Sequence, residues 1–456
     1  MKPNILIVNW GTQSASYILQ QTLTLNPCNL YLASSNKITD DIQKIFPPDH
    51  IVYTNPYDIT SLYKDVCIFS KKNHISFPVV TTFFEMSVYE ASQLAELLHC
   101  QFYLPSKNAL TSSVNKYFMR ETLASYKLIQ PKYYPFSKTT IKEAYNFYKH
   151  IHKPAIVKPI HSGHSYGTRM IPINQSYENF QKIFYEALND LDNSYDEWMD
   201  HCTKEQKQHY LIEEFIDGKM VSCDGFVKKN KEIKILGTTE FILSDPPLMH
   251  QIGHTVPIAT LTQKQIQSCL TYAKKIVSLL QLQYCGFHCE LKFYDNQPYL
   301  IEIGARLPGA ILLESYQNTS AYNVIDYFFS LFEEKKREII KNKSYNKSEL
   351  LYNKYCYSTK ELKISSFINL NKKNPDISIR TAPLNKILFN HVRFIWIYSV
   401  KITSKTLSAK NLTKNLQPII TNIKIKYTDT IYIRLISKIK LYQYAIKLFL
   451  CKIYKL

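Results

Sequence analysis

The stretch that most constrains this chain runs from Phe287 to Gly309. Phe287, Cys289, Leu291 and Phe293 alternate with His288, Glu290, Lys292 and Tyr294. A period of two sends these sets to opposite faces of a strand. Asp295-Asn296 is a turn pair, and a second short run follows it. On that return strand Tyr299, Ile301 and Ile303 are expected to continue the apolar face, with Leu300 and Glu302 pointing the other way. Folding about Asn296 sets Glu290 opposite Glu302, each six residues from the turn. Two carboxylates then share one face of a hairpin whose other face is core. Like charges so close are unfavourable unless a cation lies between them. Mg²⁺, hard and oxygen-seeking, suits paired carboxylates. The alternative is a pair that merely flanks a solvated face.

Glycine use points to the same region. Of the 10 glycines, nine lie between Gly163 and Gly309, and residues 310–456 have none. A chain so sparing of glycine keeps it where the backbone needs unusual dihedrals or close approach to a ligand.

Charge is equally uneven. The net +19 resides in residues 331–456, with 26 Lys/Arg against 7 Asp/Glu, while residues 1–330 balance at 30 each. A basic tail can meet nucleic acid or anionic lipid. Biased composition, rich in Lys, Asn, Ile and Tyr throughout, is the favoured account. Residues 430–456 repeat apolar and basic residues, the pattern of a helix packed on its own domain or lying on a membrane surface. The ten cysteines form no CxxC pair and read as reduced, buried thiols of a cytosolic protein. The N-terminus reads as a first strand rather than a signal sequence. No uncharged apolar run approaches the ~18 residues of a membrane span.

Along the chain, Ile5–Val8, Leu30–Ala33, Ile51–Tyr53, Val66–Phe69 and Val79–Val80 read as strands of a parallel sheet, and Met86–Leu98 as a helix. Gly11 alone is too little for a dinucleotide fingerprint. Asn115-Lys116 opens a helix to about Lys127. Ala155–Pro159 is a β-run ending in Lys158, followed by a loop with Ser162, Gly163, Ser165 and Gly167. Such loops can curl N–H groups around phosphate oxygens. A Walker loop is absent, and a plain hairpin tip is the competing reading. Tyr210–Gly218 is a strand whose edge, at Glu213, Glu214, Phe215 and Ile216, can offer one backbone acceptor and one donor. Val221–Val227 and Ile233–Thr238 are strands, Gly253-His254 sits in a loop, and Ile266–Leu280 is a helix. Tyr322–Phe332 reads as a helix, Glu333–Glu349 as a charged linker, Val392–Val400 as β and Leu407–Asn415 as a helix.

In this order the motifs resemble the ATP-grasp superfamily, in particular carboxylate–amine ligases with an N-terminal pre-ATP-grasp domain. The resemblance covers roughly residues 1–330. It implies an α/β and α+β fold: a parallel-sheet domain over 1–105, a two-subdomain ATP-grasp core over 106–332 with a lid at about 150–215, and a smaller α+β appendage over 333–456. It implies ATP and two Mg²⁺ ions, with Mn²⁺ as the substitute ion. Lys116 and Lys158 would contact the phosphates. Ser162, Gly163, Ser165 and Gly167 would form the lid loop. Glu213, Glu214, Phe215 and Ile216 would read adenine. Glu290 and Glu302 would hold the metal, and Arg306 would steady the transferred phosphate or a substrate carboxylate. His254 and Lys292 would line the acceptor pocket.

Three positions depart from the family's pattern. Met220 stands where a ribose-binding acid is usual. His161, Ser162 and His164 occupy lid positions where acids or glycines are more usual. Gly304 replaces a common metal-binding Asn.

The implied activity is ATP-dependent joining of a carboxylate to an amine, the two substrates being small molecules of amino-acid type. Bicarbonate as the activated acid is the close alternative. A non-catalytic nucleotide-binding protein with a membrane-surface or nucleic-acid-binding tail is the distant one. A cytoplasmic homodimer without nucleic acid is expected.

Overall fold

The computed structural model describes residues 3–9, 28–35, 40–43, 45–100, 107–161, 167–192, 209–228, 231–244, 251–309 and 312–319, with a few isolated positions between these, and strand segments between 348 and 427. The chain is mixed α/β, with a parallel sheet first and antiparallel sheets after it.

The first sheet comprises β1 (Asn4–Val8), β2 (Asn29–Ser34), β3 (Ile51–Tyr53) and β4 (Val79–Thr81), ordered β3-β2-β1-β4 and parallel throughout. Ile5, Leu6, Ile7 and Val8 are all buried, as expected of a strand covered on both faces. Val66–Phe69 is not a strand. It lies within helix α1 (Ile59–Asn73), started by Asp58, whose carboxylate accepts from the Thr60 and Ser61 amides. Leu62 and Val66, one helical turn apart, are its buried residues. The apolar run was too short for its period to be read correctly. Helix α2 (Val88–Leu97) buries Val88, Ala91, Leu94 and Ala95, preceded by a 3₁₀ turn over Glu85–Ser87.

Helices α3 (Lys107–Val114) and α4 (Lys116–Ser125) lead into a second, four-stranded antiparallel sheet. It holds β5 (Tyr133–Ser137), β6 (Ala155–Pro159), β7 (Arg169–Ile171) and β8 (His209–Glu214), in the order β5-β8-β6-β7. Helices α5 (Ile141–Ile151) and α6 (Tyr177–Asp192) cover one face, where Phe136, Val157, Phe180, Phe184 and Ile212 meet.

The third sheet has eight strands. Its members are β9 (Lys219–Val227), β10 (Ile233–Leu243), β11 (Gln251–Val256), β12 (Cys285–Tyr294), β13 (Gln297–Gly304), β14 (Ser348–Tyr357), β16 (Ile377–Thr381) and β18 (Phe394–Ser404). Their order is β13-β12-β9-β10-β11-β14-β18-β16. Three of these strands come from the C-terminal part, so that part extends the sheet that carries the acidic hairpin. The remaining strands, β15 (Leu362–Asn369), β17 (Ile387–Leu388) and β19 (Ile423–Tyr427), form a small sheet of their own. Helix α7 (Gln263–Leu279) packs behind β12 and β13, and helix α8 (Leu312–Thr319) follows the hairpin.

Gly253-His254 lies inside β11 rather than in a loop. A Cβ on Gly253 would stand 2.5 Å from the Leu351 carbonyl, so glycine here permits close strand pairing. The expected Tyr322–Phe332 and Leu407–Asn415 helices, most of the Glu333–Glu349 linker and the 430–456 tail lie outside the described residues. No helix among the described residues is long and apolar enough to cross a membrane.

Candidate active site around the acidic hairpin

Asp295 and Asn296 both have positive φ, 46° and 60°, the two-residue hairpin turn that their residue types favour. Tyr294 therefore pairs with Gln297, Phe293 with Pro298, Lys292 with Tyr299 and Leu291 with Leu300. A bulge then intervenes, and Glu290 pairs with Glu302. The expected partnership is present, but its cause differs. A one-residue turn at Asn296 does not produce it; a two-residue turn plus an extra residue, Ile301, does. The two-residue turn also changes the expected faces: Leu300 is fully buried in the core with Leu291, and Ile301 is half-buried. Past the bulge, Ile303 is in the core as expected.

Cations meet both carboxylates. Lys116, the first residue of α4, is placed by its neighbour Asn115, whose side chain accepts from the Phe118 amide at 2.8 Å. Its Nζ lies 2.9 Å from Glu302 Oε1. Burial works against the Glu302 carboxylate, but Lys116 and Lys158 hold its pKa below the usual range. On the other side, His288 Nε2 lies 3.1 Å from Glu290 Oε1 and His288 Nδ1 lies 2.7 Å from Asp224 Oδ1. Burial disfavours the imidazolium, yet Asp224 and Glu290 together push its pKa up to about 10. Asp224 itself is fully buried and accepts from Ser222 Oγ at 2.7 Å and from the Tyr316 hydroxyl. Tyr316 reaches across β10 because residue 237 is glycine. A Cβ there would lie 2.3 Å from its ring.

Lys158, at the end of β6, is buried with Nζ 2.8 Å from Glu213 Oε2. Arg120 completes that pair, with Nε donating to Glu213 Oε1 at 2.7 Å and Nη2 to Oε2 at 3.1 Å. Burial favours the neutral acid, but Arg120 and Lys158 bring the Glu213 pKa down to about 2. The Glu213 side chain is thus an ionic brace, and its backbone is paired on both sides, because β8 lies between β5 and β6 and is not the expected strand edge. Glu214 pairs with Lys153. The Phe215 amide donates to the Pro154 carbonyl at 2.9 Å, and the Ile216 carbonyl accepts from Lys292 Nζ at 2.8 Å.

Lys292 therefore sits at the link between the second and third sheets, 4.0 Å from the centre of the Phe215 ring. Burial lowers its pKa to about 8. Its cross-strand partner is Met220, the residue at the usual ribose-acid position. His254 is buried, with Nε2 3.4 Å from Ser315 Oγ.

Arg306 donates through Nη2 to Glu85 Oε2 at 2.6 Å, which ties the hairpin's exit to the 3₁₀ turn after β4. Burial would lower its pKa, but Glu85 first, then Glu302 and Glu290, raise it. A Cβ on Gly304 would stand 2.7 Å from Glu85 Oε1, so the Glu85 carboxylate fills the space beside this glycine. Gly167 has φ 68° and would collide with Pro159 if it bore a Cβ, a turn only glycine makes easily. Ser162, Gly163 and Ser165 lie outside the described residues.

Lys116, Lys158, Glu213, Glu290, Glu302 and Arg306 thus converge, and Arg120, Asp224, His288 and Glu85 join them unforeseen. Two signals for the latter were available. Lys116 and Arg120 are four residues apart on one helix face, and His288 alternates with Glu290.

The residues present suit Mg²⁺. This ion takes one or two carboxylates and completes its shell with phosphate oxygens and water. Glu290 and Glu302 face each other, and each already meets a cationic side chain, Lys116 standing where a divalent ion would share Glu302. No larger group of metal-binding side chains occurs among the described residues.

Residues 151–314 match the family pattern described as the ATP-grasp domain. No curated protein sequence matches. Among solved structures, the chain is similar to an L-amino acid ligase from Bacillus licheniformis, at 16% identity and TM-score 0.70 over 93% of this chain and 98% of that one. It is similar to phosphoribosylglycinamide synthetase from Anaerococcus prevotii, at 17% identity and TM-score 0.61 over 93% and 100%. It is also similar to biotin carboxylase from Campylobacter jejuni, at 12% identity and TM-score 0.65 over 94% and 92%. At these identities the likeness is one of fold. Together the domain match and these likenesses assign an ATP-grasp domain to residues 151–314, within a fold that the chain shares with these proteins.

Proposed function

We propose that the protein is an ATP-dependent ligase that activates a small carboxylate as an acyl phosphate and joins it to an amine. The observation that carries this reading is the direct opposition of Glu290 and Glu302, with Lys116 on Glu302 and Lys158, held by Glu213, near enough to act on the Glu302 charge. Such a cluster can receive a polyphosphate. Lys116 would exchange Glu302 for phosphate oxygens, Lys158 would add a phosphate contact while still braced by Glu213, and Glu290 and Glu302 would be the residues that hold the metal. When bound, Mg²⁺ on Glu290 and Glu302 supplies charge neutralisation at the β- and γ-phosphates.

The chemistry asked of the chain is mainly positioning. A substrate carboxylate oxygen attacks the γ-phosphorus and the bond to ADP breaks. The amine nitrogen then attacks the acyl carbon, phosphate leaves, and the nitrogen loses a proton. Arg306, fixed by Glu85, would hold the transferred group or the substrate carboxylate. The segment that leaves β8 through Glu214, Phe215 and Ile216 would take the base. The loop containing Ser162, Gly163 and Ser165, ending at Gly167, would shield the acyl phosphate from water.

ADP formation by the purified protein, assayed over paired libraries of amino acids, other carboxylates and amines, tests this. The expected result is Mg²⁺-dependent ADP release that needs both an acid and an amine. The likeness to a biotin carboxylase motivates one second reading, in which bicarbonate is the activated acid. ADP release driven by bicarbonate alone would select it.

A further inference from the structure

We infer that Arg120 is a positioning residue for the metal site: it holds open the β13 bulge that turns Glu302 from the core to the face it shares with Glu290. This role rests on the metal reading proposed above.

From the turn to Leu291↔Leu300 the hairpin pairs regularly. Continued unchanged, that register would set Glu290 opposite Ile301 and Glu302 opposite Cys289. Cys289 is fully buried in the core, so Glu302 would point into it. A one-residue shift transfers a side chain to the other face. The inserted residue, Ile301, makes that shift, and Glu302 emerges beside Glu290.

A bulge interrupts the ladder and needs something to hold it. Successive carbonyls of a regular strand point to opposite edges. Here two successive carbonyls meet one guanidinium. Arg120 donates through Nη1 to the Leu300 carbonyl at 2.9 Å and through Nη2 to the Ile301 carbonyl at 3.0 Å. Only the bulge brings both within reach. β13 is the edge of the eight-stranded sheet, so these carbonyls have no further strand to bond. Arg120 is fully buried, and Glu213 balances its charge through two hydrogen bonds. One planar fork thereby joins the base-reading strand to the bulge. Lysine, with three donors on a point charge, cannot reproduce that geometry. Lys116, one turn earlier on α4, grips the very next residue, Glu302. The helix therefore holds the bulge at two consecutive points.

A deletion separates this role from simple structural support. Removing Ile301 closes the bulge yet leaves Glu302 opposite Glu290, because the regular register then reaches it directly. The test measures Mn²⁺ affinity, by electron paramagnetic resonance of free Mn²⁺ at saturating ADP, in wild type, Arg120→Met, the Ile301 deletion and their combination. Arg120→Met should weaken Mn²⁺ binding about 10–100-fold, as loss of outer support to a metal ligand does. The deletion alone should bind like wild type, and the combination should recover most of the loss. Wild-type affinity in Arg120→Met, or a loss that the deletion does not restore, would overturn the role. Should Arg120→Met not fold, Arg120→Lys takes its place, and a deletion variant that loses Mn²⁺ by itself also overturns it. Glu302→Gln is measured alongside. If it binds Mn²⁺ like wild type, the metal site itself is wrong, an outcome distinct from failure of Arg120 alone.

Discussion

Glu302 and Glu213 are both carboxylates paired with lysines, and they differ in burial and in what surrounds them. Glu302 keeps 29% of its side chain exposed and pairs with Lys116, so an incoming cation can compete for it. Glu302→Gln should lower metal-dependent turnover at least about a hundredfold, the scale of removing a charge that stabilises a transition state. Circular dichroism should show the fold intact. Glu213 is enclosed by Arg120 and Lys158 and serves structure. Glu213→Gln leaves two cations without their partner and should destabilise the protein by ~3–5 kcal/mol at neutral pH. Because the Glu213 pKa falls on folding to about 2, its contribution is complete above ~4.3, the unfolded value, and fades as pH drops toward 2. Urea unfolding should therefore show the gap between wild type and Glu213→Gln closing below pH ~4. Lys158→Ala should weaken ATP binding about tenfold by loss of a charged contact, measurable by calorimetry.

At the scale of elements, what could be read from the sequence depended on range. The Asp295-Asn296 turn, the Glu290/Glu302 pairing and the Lys158 strand end are local, and all three could be located. The bulge could not, because its partner Arg120 lies 180 residues away from Leu300. No periodicity encodes such a bond. The counting about Asn296 reached the right pair only because the bulge residue compensated for the second turn residue. The Val66–Phe69 run was misread for a related reason: four apolar residues fit either period, and Asp58, which starts the helix, lies outside the run. The turn itself makes a prediction. Asn296 has φ 60°, so Asn296→Val should cost about 1–2 kcal/mol, and Asn296→Gly should not, as judged by thermal unfolding.

Across the whole molecule, three sheets converge on one cleft. Glu85 arrives from the turn after β4, Lys116 and Arg120 from α4, Lys158 and Glu213 from the second sheet, and Glu290, Glu302 and Arg306 from the third. The order of motifs along residues 1–330 made the ATP-grasp resemblance legible, and residues 151–314 match that domain. The C-terminal strands were legible only as β-like runs, since nothing in them announced that β14 would pair with β11. The substrates are not legible at all, because acceptor choice depends on shape at the cleft rather than on a motif. The central claim is that a nucleoside triphosphate binds here through a divalent ion shared by Glu290 and Glu302. The most direct measurement is calorimetric titration of ATP into wild type and Glu302→Gln, each with Mg²⁺ and with chelator. Wild type should bind far more tightly with Mg²⁺ than without, and Glu302→Gln should lose that difference. Equal Mg²⁺ enhancement in both proteins would contradict the account.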